Sequence, residues 1–372
     1  MKTIWDKYAK VLVDYSTNVQ KGDLVQIRGA SVYTKELVKA VYKRVLERGG
    51  HPIVRTSIED LSDTFIKYAS DEQLDFVDPI TKLEYETVDK FISIGGPMNT
   101  KNMARADMKK LARRSAATKP LSETLLTRAA KGDASWVIAD VPTHALAQEA
   151  KMSFDEYSDF LFKACYLNLD DPVAKLKELD EQQTKWANYL NGVKKLRIVG
   201  DKTDITFGVE GRKWISCSGL NNYPDGEVFT SPVEDDINGE IYFDFPQNYR
   251  GNSATGVHLW VENGKIVKFD AETGKDFLEA MLNMDAGSRG IGEIAIGTNE
   301  CIKDVTGNIL FDEKIGGSIH MAVGASYPET GGKNISGLHW DMIKGMKNTT
   351  AETGGKIFAD GKLIYENGKF MI

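Results

Sequence analysis

Two hydrophobic rhythms divide this chain. As far as Leu190, apolar residues recur mainly at three- and four-residue spacing, interrupted by short β-branched runs; beyond Leu196 they mostly alternate with polar ones. In the first part Ile4, Tyr8, Val11, Leu12 and Tyr15 share one side of a helix over 4–19, taken as part of the mature protein because it carries acids and no apolar signal core. Lys21-Gly22-Asp23 then turns into the strand LVQIR. Leu37, Val38, Val41, Val45 and Leu46 mark a helix over 34–48 that ends at Gly49-Gly50. PIVRT, a helical region around 64–69, and the strand DKFISIG (89–95) follow. Helices over 102–114 and 122–131 precede the strand WVIAD at 136–140. Strands alternating with helices of this length imply βαβ units and a parallel sheet.

Ser153 and Glu156 form a capping box for the next helix, and Asp171-Pro172 opens a long one. Its Leu176, Leu179, Gln183, Trp186 and Leu190 keep helical spacing up to Asn191-Gly192, so it reads as a bridge between domains. Past it come LRIVG, DITFGVEG, WISCSG, EIYFDFP and GVHLWVENGKIVKFD, with ENGK and ADGK as hairpin turns and one helix near 275–282. The expected architecture is an α/β domain with a parallel sheet over 1–191, followed by an α+β, mostly antiparallel domain over 192–372.

Composition narrows the function. The 372 residues are 41% hydrophobic and 27% charged, as in ordinary globular proteins, with a net charge of −7. That charge, with no basic run carrying interleaved aromatics, argues against nucleic acid as a partner. No apolar stretch approaches the ~20 residues that span a bilayer. Cys165, Cys217 and Cys301 are odd in number and widely spaced, which fits a reducing cytoplasm and small buried side chains rather than disulfides or a thiolate site. A dinucleotide-binding reading fails, since GGPMN is not GxGxxG and Gly49-Gly50 follows a helix.

The chemistry concentrates near the end. Residues 313–341 hold two of the five histidines: Glu313 lies seven before His320, Tyr327 seven after it, and His339 stands two from Asp341. On an extended segment that last pair shares a face. Imidazoles with carboxylates suit a divalent metal of borderline hardness. Glu293 sits in the apolar run GIGEIAIG, where a buried carboxylate needs a partner such as a cation. Glu227, after the Pro-Asp-Gly turn of NYPDGEVFTSP, is by itself a solvated carboxylate. His51 and His258 read as structural, and His144 stays undecided.

The blocks GEVFTSP, GEIAIG, FDEKIGGSIHMAVGASYPE and SGLHWDMI, in this order, resemble the M29 aminopeptidases, the aminopeptidase T and aminopeptidase S group. The likeness covers nearly the whole second half and extends more loosely to PTHALAQEAKMSFDEYSDF in the first. It implies an exopeptidase with two divalent ions (zinc, cobalt, manganese or magnesium), peptide substrates with a free amino terminus, and a homodimer. Glu227, Glu293, Glu313, His320, His339 and Asp341 are then the metal ligands, with Glu293 bridging. Glu293 or Glu227 moves the proton, and Tyr327 orients or polarises the reacting groups. One rival comes from another enzyme class: His320, His339 and Asp341 alone make the facial triad of iron(II) oxygenases, and ring-cleaving dihydroxypyridine dioxygenases resemble the same fold family. A binding protein with a structural ion is a third reading. Glu227 and Glu293 discriminate, because a single iron does not need them.

Overall fold

The computed structural model describes residues 3–29, 31–347 and 354–372. By contacts the chain divides into two compact units, Met1–Ala174 with Gly219–Tyr223, and Lys175–Ser218 with Pro224–Ile372. The helix Pro172–Leu190 gives Ala187 and Leu190 to the core of the second unit, so the division falls at its start rather than near Asn191.

The first unit holds five parallel strands in the order His51–Thr56, Leu24–Gly29, Lys90–Gly95, Ser135–Asp140, Asn222–Tyr223. Val25, Ile27, Ile92, Ile94 and Val137 are buried in it, as the β-branched runs require. Two local expectations are corrected. The first helix, Ile4–Lys10, passes into a wider π-helical turn, Val11–Ser16. The separate helices over 102–114 and 122–131 are one, Met108–Ala130, running through Pro120. A proline removes one backbone donor, and here the helix is anchored on both sides of that defect. Arg113 pairs with Asp71 and Asp75 before it, and Arg128 donates to the Tyr85 and Val88 carbonyls after it.

In the second unit an eight-stranded antiparallel sheet and a five-stranded antiparallel sheet share one hydrophobic core. The ENGK and ADGK turns join paired strands, Val257–Glu262 with Lys265–Asp270 and Lys356–Ala359 with Lys362–Glu366. The smaller sheet runs His339–Gly345, Ser318–Gly324, Ile291–Gly297, Glu227–Thr230, Ile215–Cys217. Its outer strand is held by buried Gln247, whose amide donates to the Ile343 carbonyl and accepts from the Ile343 N–H. No helix among the described residues is long and apolar enough to cross a membrane.

Candidate metal centre

The five-stranded sheet sorts its side chains by the two-residue period of a strand. Val228, Ile294, Ile296, Ile319, Met321, Val323, Trp340 and Met342 enter the core. The residues between them leave the opposite face: Glu227, Glu293, His320, His339 and Asp341. Strand register brings these into rows. Glu293 pairs with Ala322 and Ala322 with Asp341, while Ala295 lies opposite His320. The small side chains of Ala295 and Ala322 leave room between the polar ones. Glu227, Glu293 and His320 are all at most 5% exposed, so Glu227 is not a solvated carboxylate.

Both imidazoles are held by backbone. His320 Nδ1 lies 3.1 Å from the Glu313 carbonyl, and His339 Nδ1 lies 2.9 Å from that of Ala325. A carbonyl only accepts, so each Nδ1 carries a proton and each Nε2 is the atom turned towards the carboxylates, bearing either a second proton to donate or a lone pair for a cation. His320 Nε2 is 3.3 Å from Glu227 Oε2 and 3.5 Å from Glu293 Oε1. His339 Nε2 is 3.4 Å from Glu293 Oε2 and 3.3 Å from Asp341 Oδ1. Lone pairs facing carboxylate oxygens repel unless a proton or cation lies between them. Glu227 Oε2 and Asp341 Oδ1 are buried without a hydrogen-bond donor among the described residues. A cation fits this donor set. Oxygen and nitrogen atoms of Glu227, Glu293 and His320, of Glu293, His339 and Asp341, and of Glu313, His320 and Asp341 lie within 4.8 Å of one another inside each group.

The electrostatics agree. Burial pushes the Glu227 carboxyl up to about 8, against the pull of Lys314 and His320. Burial favours neutral His320, yet the Glu293 and Glu227 carboxylates outweigh it and raise the ring to about 9. Glu293 is buried too, but hydrogen bonds from His320 and His339 keep it below the usual range. Such groups coexist only by sharing protons or by surrounding cations.

Tyr327 stands at the exposed rim, its hydroxyl 3.4 Å from His339 Nε2 and its ring 5.0 Å from the imidazole. His51, His144 and His258 belong to none of these ligand groups; His144 packs on Phe154 and Tyr33, and His258 stacks on Trp260 beside Glu240. Two residues escaped the sequence reading. Lys314 is fully buried, with Nζ 2.5 Å from Glu227 Oε1, 2.9 Å from Glu313 Oε1 and 3.6 Å from Asp225 Oδ1. Asp225 had been absorbed into a turn, and with Glu227 and Cys217 it makes a fourth close group. The one local signal for Lys314 is the unbroken Asp-Glu-Lys run at 312–314, which sets a cation beside two carboxylates.

Aminopeptidase 2 of Geobacillus stearothermophilus is 28% identical over 352 residues, 87% of this chain and 84% of that one. Among solved structures, wild-type AmpT of Thermus thermophilus superposes with a TM-score of 0.83 at 21% identity, covering 99% of each chain. The 2,5-dihydroxypyridine dioxygenase of Pseudomonas putida KT2440 shares the fold at a TM-score of 0.60 and 14% identity, over 99% of this chain and 96% of its own. The model of the thermophilic metalloprotease family (M29) matches residues 1–370, and the chain belongs to that family, as a hydrolase of the metallo-aminopeptidase class.

Proposed function

We propose that the chain removes the first residue of peptides by hydrolysis at a pair of divalent ions, zinc, cobalt, manganese or magnesium. Glu227, Glu293, His320, His339 and Asp341 would hold them, with Glu313 at the margin. One observation carries the reading: two Nε2 atoms, and the buried oxygens of Glu227 and Asp341 that lack a hydrogen-bond donor among the described residues, converge on the space around Glu293. Glu293, like Glu227, His320 and Asp341, belongs to two of the ligand groups, and its two oxygens face the two imidazoles, Oε1 towards His320 and Oε2 towards His339, as a shared carboxylate would.

When bound, such ions supply Lewis-acid polarisation of the scissile carbonyl and a water whose pKa falls towards ~7. The chain's own groups do the rest. Glu293 or Glu227 takes the proton of the attacking water and returns it to the leaving amine. Tyr327, at the open rim, donates to the oxygen that gains charge. The surplus of carboxylates attracts the α-ammonium of the substrate, which restricts cleavage to the first residue. The iron(II) oxygenase reading uses only His320, His339 and Asp341 and leaves buried Glu227 and Glu293 without a task.

The test is release of the first amino acid from leucine p-nitroanilide and short peptides. Turnover should vanish with a chelator, return with added metal, and fail on amino-terminally acetylated peptides. Release that ignores the chelator, or equal cleavage of acetylated peptides, overturns the proposal.

A further inference from the structure

Lys314 sits at one side of the centre only. Its side chain is 1% exposed and makes direct ion pairs with Glu227, Glu313 and Asp225; its charge reaches Asp341 only as a weaker pull over distance, behind that of His339 and His320. Its backbone is fixed as well: the N–H donates to the Phe311 carbonyl, and its own carbonyl accepts from Asn299. An ammonium buried among three carboxylates is a permanent positive charge in the wall of the site. Cys217, Asp225 and Glu227 gather ligand atoms within 4.8 Å, and Lys314 already pairs with both carboxylates of that group and offsets part of their charge. The same lysine occupies Glu227 Oε1 and leaves Oε2 facing His320.

The geometry points to two unequal cation positions, with Lys314 as the positioning residue that makes them unequal. The position at Glu293, His339 and Asp341 has carboxylates with no direct lysine ion pair, and the Lys314 charge acts on Asp341 only as a minor pull over distance. The position at Glu227 and His320 draws on carboxylates that Lys314 has partly neutralised, so a second divalent ion there meets both a weaker field and a nearby like charge. The ions then load in sequence, the first tightly and the second in exchange with solution. This inference rests on the proposed two-ion site and adds the order and cause of filling.

Cobalt(II) titrated calorimetrically into the chelator-stripped full chain tests it, with the visible absorption of the metal as a second readout. The native chain should bind two ions with dissociation constants at least 100-fold apart, or a single ion with the second beyond detection. Lys314→Met and Lys314→Gln should bind two ions less than 10-fold apart, because the weak position tightens. Lys314→Arg, which keeps the charge, should keep the separation. Thermal unfolding identifies a variant that fails to fold; the glutamine variant retains hydrogen bonding if the methionine one is lost. An unchanged separation in the neutral variants, or two equal sites in the native chain, overturns the role of Lys314 while leaving the two-ion centre standing. No cobalt binding by the native chain instead overturns the two-ion centre, and this inference with it.

Discussion

Gly292 offers a test that links backbone packing to the chemistry. It lies where the pairing of Ile291–Gly297 with Ser318–Gly324 shifts register, between Ile291 and Glu293. A Cβ added there would overlap the Ala325 carbonyl, the same group that accepts the His339 Nδ1–H at 2.9 Å. Gly292→Ala therefore has two outlets: Ala325 retreats and releases the imidazole, or the strand twists and re-aims Glu293. Forced overpacking of this kind costs ~1–3 kcal/mol. For a unit of roughly 150–250 residues, the size class of the second unit, that is a melting-temperature loss of about 2–12 °C. Misplacing a reacting group by ~1 Å costs about 100-fold in rate. Measured with saturating metal and well below melting, kcat/KM on leucine p-nitroanilide should fall by that order. Ile205→Val, in the core of the other sheet, loses ~0.5–1.5 kcal/mol and should leave kcat/KM within twofold of the native value. If Gly292→Ala melts lower yet also stays within twofold, the carbonyl of Ala325 does not aim His339 and the coupling is wrong.

Metal removal has a stability signature of its own. At an ion concentration 100-fold above its dissociation constant, binding adds ~2.7 kcal/mol, about 5–11 °C in a unit of this size. Differential scanning fluorimetry should show that rise in the native chain and little of it in Glu293→Gln, which lacks the carboxylate that faces both imidazoles; an equal rise in both would remove Glu293 from the centre. A second expectation concerns acid. Asp285 accepts from Gly287 and Gly337 N–H and from the Ser288 and Ser336 hydroxyls, tying down the loop that leads into His339. Burial alone would raise its pKa, but these donors leave it below the ordinary 3.8. A lowered folded pKa means stability that is complete above pH 4 and lost as pH falls through the folded value. In denaturant titrations from pH 6 to pH 3, native and Asp285→Asn stabilities should converge on the acid side; a constant gap would show that the carboxylate's charge plays no part.

How far the centre could be read from residues alone follows from the range of the forces involved. His339 and Asp341 lie two apart on one strand, so a local period suffices to place them on one face. Glu293 was legible for an energetic reason, since a carboxylate among Ile291, Ile294 and Ile296 has to find a partner. Glu227 was not, because its burial depends on strands more than sixty residues later in the chain, which only the family resemblance could supply. Lys314 was the hardest, since lysine is among the residues least often buried, and here the exception is made by Glu227, Glu313 and Asp225 closing around it. Pro120 misled in the opposite direction: the local rule ends a helix there, and the arginine anchors that carry the helix past it come from distant partners. The alternation that packs Ile319, Met321 and Val323 into the core also turns His320 to the far face. A one-residue slip of that strand would exchange the two sets, turning three hydrophobic side chains to the polar face and driving the imidazole into the apolar core. The register that completes the core is therefore the register that assembles the centre, and selection for one stabilises the other.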